Sequence, residues 1–151
     1  MIFLISSIII FNLIAIFMPK YITKYEIFTT ILFALLFQTL TDVFLNGKYH
    51  LYYYFSIEIN WISLIPMFGL YPAFNTIYLN YYVLKDKWTT KVWYILRWVL
   101  FSLAFEGLSV QAGYFSYNGW KLWYSALCYP IIYVILAFSL HITQSLTKYD
   151  L

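Results

Sequence analysis

Three carboxylate residues stand in or beside apolar stretches that are long enough to cross a membrane: Asp42, Glu58 and Glu106. An ionisable side chain inside such a stretch is costly, so by default it indicates a functional site with a partner elsewhere in the chain. Carboxylates that converge would repel one another, and a proton, a cation or a substrate amine would relieve the repulsion. They could also act as a general acid and base.

Other polar residues could extend such a site. Gln38 stands one helical turn before Asp42 and so shares its face, while Asn60 follows Glu58 and Gln111 follows Glu106. At ~1.5 Å per helical residue, Asp42 and Glu106 both lie about 22–24 Å from the inner ends of their stretches. The sequence therefore predicts a polar site near the outer face of the membrane. The alternative is a purely structural role, in which each carboxylate forms an ion pair with a base (Lys48, His50 or Lys121) and this pair only fixes the helix register.

The composition excludes a soluble domain. Of 151 residues, 64% are hydrophobic and only 10% are charged, so the surplus apolar surface has to face lipid. The net charge of +3 is small and scattered, which argues against nucleic acid as a partner. A single cysteine, Cys128, excludes an internal disulfide, and no cofactor or metal motif is present in the sequence. The bilayer is the expected partner, and a homo-oligomer or a membrane partner protein stays open.

Hydrophobicity predicts an all-α integral membrane protein with a single transmembrane domain. The expected spans are residues 2–18, 26–46, 60–83, 92–113 and 122–142. Lys and Arg concentrate on one side of this map, which predicts the N-terminus outside and the C-terminus inside. Pro66 and Pro72 predict a kink in the third span. Two short aromatic segments, Tyr49–Ser56 and Tyr114–Tyr124, suit the headgroup layer. The first is too short to span; a strand is possible in it, but not with an open edge in lipid.

Arg97 is predicted to be separate from the carboxylate site. Nine positions from Glu106 correspond to about half a helical rotation, so the two side chains face opposite ways. Arg97 is therefore expected to act as an anchor at the inner interface, where it reaches lipid phosphates or Glu26.

Three runs carry a family resemblance: DVFLNGKYHLYYYF, GLYPAFNTIYLNYY and FEGLSVQAGYFSYNGWKLWYSALCYP. They resemble a family of small multi-pass membrane proteins of Bacillus- and Clostridium-type, spore-forming Firmicutes, over about residues 25–142. The segment from Glu106 to Ser125 is the most specific part. The resemblance implies a bacterial plasma membrane and suggests a link to sporulation, and it implies no activity.

The sequence leaves three functional hypotheses. The first is a non-enzymatic membrane protein with an outward-facing polar site, used as a small transporter, channel subunit or sensor. The second is a membrane-embedded enzyme that acts on a lipid or isoprenoid, with Asp42 and Glu106 as acid and base. The third is a structural or partner-binding subunit whose carboxylates only set helix packing.

Overall fold

The structure, a computed structural model, describes residues 1–56 and 61–149. It contains five long helices, two short strands and two short helical turns. The helices are α1 (Ile2–Phe17), α2 (Lys24–Asp42), α3 (Leu64–Tyr82), α4 (Trp88–Gln111) and α5 (Leu122–Tyr149). The strands are β1 (Tyr52–Tyr54) and β2 (Phe115–Tyr117), while a π-helical turn (Val43–Lys48) extends α2 and a 3-10 turn (Trp61–Ser63) precedes α3. The predicted all-α fold with five helices is confirmed.

Four helical segments are long and apolar enough to cross a membrane: 24–48, 61–82, 88–111 and 122–147. Helix α1 is shorter, with 16 residues, so its ~24 Å falls somewhat below the ~30 Å thickness of a hydrocarbon core. In the most apolar 18-residue stretch of each segment, 11–22% is buried in three of the four segments. In the segment that contains α3 the buried share is 44%. The exposed remainder is mostly apolar side chain, which suits contact with lipid.

Helix α3 is the centre of the bundle, since it contacts each of the other four long helices. Its two prolines act differently. Pro66 lies in the first turn, where a backbone N–H has no partner within the α-helix, so this proline removes no hydrogen bond of α3. Pro72 lies inside the helix. Near it, the Gly69 carbonyl accepts a hydrogen bond from Asn12 Nδ2 of α1 at 2.7 Å, so a neighbouring helix supplies a donor close to the interruption.

The helices alternate in direction across the bundle. At one end, Asn80 near the end of α3 donates to the Pro19 carbonyl and accepts from the Tyr21 backbone N–H. At the other end, Phe3 of α1 contacts Tyr114, which follows α4. Helix α1 therefore runs the length of the bundle, and the segments that follow α2 and α4 meet at the end where α1 begins.

Those two segments pair with each other. Strands β1 and β2 are antiparallel, with Tyr52 opposite Tyr117 and Tyr54 opposite Phe115. The pairing continues beyond the strands, because the Leu51 carbonyl accepts from the backbone N–H groups of Asn118 and Trp120. We call residues 52–54 and 115–117 the tyrosine ribbon. The sequence allowed a strand in the first segment but did not predict this partner; the pairing satisfies backbone groups that an interface would otherwise leave open.

Candidate functional site

Glu106 is buried in the bundle beneath the tyrosine ribbon, with 6% of its surface exposed. Its Oε1 accepts hydrogen bonds from the hydroxyls of Tyr117, at 2.6 Å, and Ser125, at 2.7 Å. Its Oε2 accepts from the hydroxyl of Tyr129. The three donors come from β2 and α5, so the fold brings two consecutive elements of the chain onto one carboxylate.

A short relay fixes the direction of one of these bonds. Trp120 Nε1 lies 2.8 Å from Ser125 Oγ, and an indole N–H can only donate. Ser125 Oγ therefore accepts from Trp120 and uses its own proton for Glu106. Trp120, three residues after the ribbon, thus orients the hydrogen bond from Ser125 to Glu106.

Asp42 lies beneath the other strand of the ribbon, where its Oδ1 accepts from the hydroxyl of Tyr52 at 2.6 Å. Gln38, one turn earlier on α2, also hydrogen-bonds Asp42. In the ribbon register Tyr52 stands directly opposite Tyr117. Residues opposite each other in an antiparallel pair project to the same face, so two facing tyrosines each donate to one carboxylate.

A cavity of about 290 Å³ opens beside Glu106, and we call it the Glu106 cavity. Seven of its fifteen lining residues are aromatic, and three of these come from the ribbon: Tyr52, Tyr54 and Phe115. Besides Glu106, polar lining comes from Gln38 and Thr41 of α2 and from Ser125 of α5. Asp42 is not part of the wall and acts on the cavity through Tyr52. The site thus offers one buried carboxylate beside a cavity to which aromatic side chains contribute nearly half of the lining residues.

Two tyrosines of the ribbon, Tyr52 and Tyr117, are held in their neutral form. Burial raises the pKa of Tyr52 far above its ordinary value, and the neighbouring Asp42 carboxylate adds to the shift. Burial and the hydrogen bond to Glu106 likewise raise the pKa of Tyr117. Both phenols therefore keep the proton that they donate to a carboxylate over the whole physiological pH range.

The structure does not show the ion pairs with bases that were the alternative prediction for Asp42 and Glu106. Among the described residues, the side-chain hydrogen bonds to Asp42 and Glu106 come from neutral groups rather than from Lys48, His50 or Lys121. Lys48 instead lies 5.4 Å from the ring centroid of Tyr49. Hydroxyl donors can satisfy a buried carboxylate without cancelling its charge, which leaves the site able to attract a cation.

The other predicted residues fall elsewhere. Gln111 is exposed at the end of α4, outside the cavity wall, and Arg97 is exposed on α4. Glu26, considered as a partner of Arg97, is buried in a capping box, where its carboxylate accepts from the Thr23 backbone N–H at 2.6 Å. Glu58 and Asn60 lie outside the described residues.

Sequence reasoning missed the hydroxyls that surround Glu106. Ser125 and Tyr129 stand four positions apart, and Tyr133 follows after four more, so they form one polar stripe on α5. That spacing was a usable signal. Tyr117 carried no comparable signal, because a chain with 17 tyrosines offers many equivalent candidates.

Within residues 1–56 and 61–149, no group of three or more His, Cys, Asp or Glu side chains could hold a metal ion. Comparisons of the chain with known family models, with curated proteins and with solved structures found no match.

Proposed function

We propose that this multi-pass membrane protein binds a small organic cation in the Glu106 cavity and serves as a transporter or sensor for it. The observation that carries the proposal is a buried carboxylate with three neutral hydroxyl donors that lines an aromatic cavity. A carboxylate attracts an ammonium group through its charge, and aromatic faces attract the same group through their quadrupoles. A volume of about 290 Å³ suits a small molecule.

The cation and a proton would compete for this site. A protonated Glu106 carries no charge, so it would release an organic cation, and binding of the cation would in turn expel the proton. Such an exchange is a simple means of coupling a ligand to a proton gradient. It is also a simple means of sensing a ligand, because occupancy would change with pH.

We place the tyrosine ribbon on the outer side of the membrane. The opposite end of the bundle carries five lysines in its connections and at the start of α4: Lys20, Lys24, Lys85, Lys87 and Lys91. The ribbon end carries Lys48 and Lys121. The positive-inside rule then favours an N-terminus outside, with the Glu106 cavity near the outer surface. The family resemblance supports a bacterial plasma membrane as the location.

The test uses benzyltrimethylammonium and its neutral isostere neopentylbenzene, with affinity measured by calorimetry on the full-length protein in nanodiscs. The wild type should prefer the cation. Glu106→Gln should lower affinity for the cation at least about tenfold, because an attraction of 1.4 kcal/mol between charges corresponds to that factor. The matched control is Glu26→Gln, which changes the other glutamate that is buried in the described part of the chain, keeps its capping box and should leave affinity unchanged.

Two further measurements locate the bound cation. Affinity for this fixed-charge ligand should fall as the pH is lowered in the wild type, and it should be independent of pH in Glu106→Gln. Cys128 also lines the cavity and is the only cysteine of the chain, so bound cation should slow its alkylation by N-ethylmaleimide. Equal affinity of the wild type for the cation and its isostere, with no pH dependence, would overturn the proposal and favour a packing role for Glu106.

A further inference from the structure

A second buried acceptor lies deeper in the bundle than Glu106. Asn75 of α3 has 3% of its surface exposed, and its Nδ2 donates to Thr30 Oγ1 at 3.3 Å. The Thr30 hydroxyl proton is directed to the Glu26 carbonyl at 2.7 Å, so the Thr30 oxygen is left to accept. This fixes the orientation of the Asn75 amide and leaves its Oδ1 without a donor. In the part of the chain that the structure describes, it is the one buried side-chain polar atom in that condition.

Asn75 lines a cavity of about 120 Å³, which we call the inner chamber. Tyr71 and Tyr129 line both the inner chamber and the Glu106 cavity, so the two spaces adjoin at these rings. Ser102, one turn before Glu106 on α4, lines the inner chamber. Four helical residues rise ~6 Å, so the part of the inner chamber beside Ser102 lies about one turn deeper in the bundle than Glu106.

Glu106 also has unused capacity. A carboxylate offers about four lone-pair positions, and the hydroxyls of Tyr117 and Ser125 occupy the two of Oε1. Tyr129 occupies one position of Oε2, which leaves one open to a donor in the cavity. Glu106 and Asn75 thus each keep an open acceptor, one charged and one neutral, in two cavities that adjoin.

We infer that the ligand is an amino alcohol whose ammonium group binds Glu106 and whose hydroxyl, at the other end of a short carbon chain, donates to Asn75 Oδ1. The inference rests on the proposed binding of an organic cation at Glu106. A hydroxyl suits the inner chamber better than a second ammonium, because the chamber is lined by aromatic, aliphatic and neutral polar residues and by no carboxylate. A second charge there would be buried without a counter-charge.

The experiment compares 4-aminobutan-1-ol with n-pentylamine, which replaces the hydroxyl by a methyl group of similar size. In the wild type, the amino alcohol should bind on the order of tenfold more tightly, because it supplies the missing donor. The diamine 1,4-diaminobutane should bind more weakly than the amino alcohol. In Asn75→Leu the preference for the amino alcohol should disappear, while affinity for n-pentylamine should stay the same or rise.

Equal or tighter binding of n-pentylamine than of 4-aminobutan-1-ol would overturn the inference, and so would a preference that survives in Asn75→Leu. Those outcomes would leave the proposed function intact if Glu106→Gln still lowers the affinity for both amines. If the wild type binds no ammonium compound at all, the proposed function itself is refuted.

Discussion

The contact of α1 with α3 depends on the missing side chain of Gly69. A Cβ built at this position would lie 2.7 Å from Cδ1, 3.0 Å from Cγ1 and 3.3 Å from Cγ2 of Ile8. Carbon atoms in contact prefer about 3.5–4.0 Å, so Gly69→Ala must push α1 outward or force Ile8 into another rotamer. Outward movement would also weaken the hydrogen bond from Asn12 Nδ2 to the Gly69 carbonyl.

The expected loss follows from three contributions to the free energy of unfolding. Overpacking costs about 1–3 kcal/mol, and a weakened hydrogen bond costs about 0.5–1.5 kcal/mol. Replacing a helical glycine by alanine returns about 0.5–1 kcal/mol. We therefore expect Gly69→Ala to destabilise the protein by about 2 kcal/mol. Gly107 of α4 is the matched control, because nothing lies within 4 Å of its built Cβ, and Gly107→Ala should stabilise by about 0.5–1 kcal/mol.

The measurement is equilibrium unfolding in mixed micelles with increasing SDS, followed by tryptophan fluorescence. In the Ile8→Ala background, Gly69→Ala should cost less than it does in the wild type, because Ile8→Ala removes the three atoms that the new methyl group meets. Gly69→Ala as stable as Gly107→Ala would refute the close approach of α1 and α3. A loss that Ile8→Ala does not relieve would show that the strain arises elsewhere.

Two other predictions concern the ends of the bundle. The first uses a Cys128→Ser background and a membrane-impermeant maleimide. Lys87→Cys should react only from the inner side of the membrane, and Lys121→Cys should react only from the outer side. Reaction of both from one side would refute the alternating directions of the helices. The second is that raising the pH should weaken the ribbon. The phenol of Tyr52 stays neutral in the folded protein but ionises with a pKa of about 10 in the unfolded chain. Its contribution to the free energy of unfolding is therefore complete below about pH 10 and declines above it. Melting temperature against pH should therefore fall less steeply in Tyr52→Phe than in the wild type, and identical slopes would contradict this assignment.

The sequence was sufficient to predict the bundle, because spans of apolar residues can be read without knowledge of their partners. It also singled out Glu106, since a charge in such a span stands out against its neighbours. The sequence alone could not identify the side chains that donate hydrogen bonds to Glu106. Tyr117 is one of many tyrosines, and its role depends on the register of a two-stranded ribbon that only tertiary structure sets.

Asn75 illustrates the same limit. An asparagine in an apolar helix predicts a polar contact, but whether that contact is complete depends on the neighbours that other helices bring. Asn80, five positions later, has both ends of its amide satisfied by the backbone between α1 and α2. Nothing in the local sequence distinguishes the satisfied asparagine from the unsatisfied one.

The order of the chain bears on how Glu106 enters the membrane. All three of its hydroxyl donors follow it, the last one 23 residues later on α5. During synthesis, α4 therefore carries an acidic side chain whose partners have not yet emerged from the ribosome. Insertion of α4 and α5 together, as a helical hairpin, would avoid exposing that side chain to lipid alone. The last helix then serves the insertion of the helix before it as well as the enclosure of the cavity.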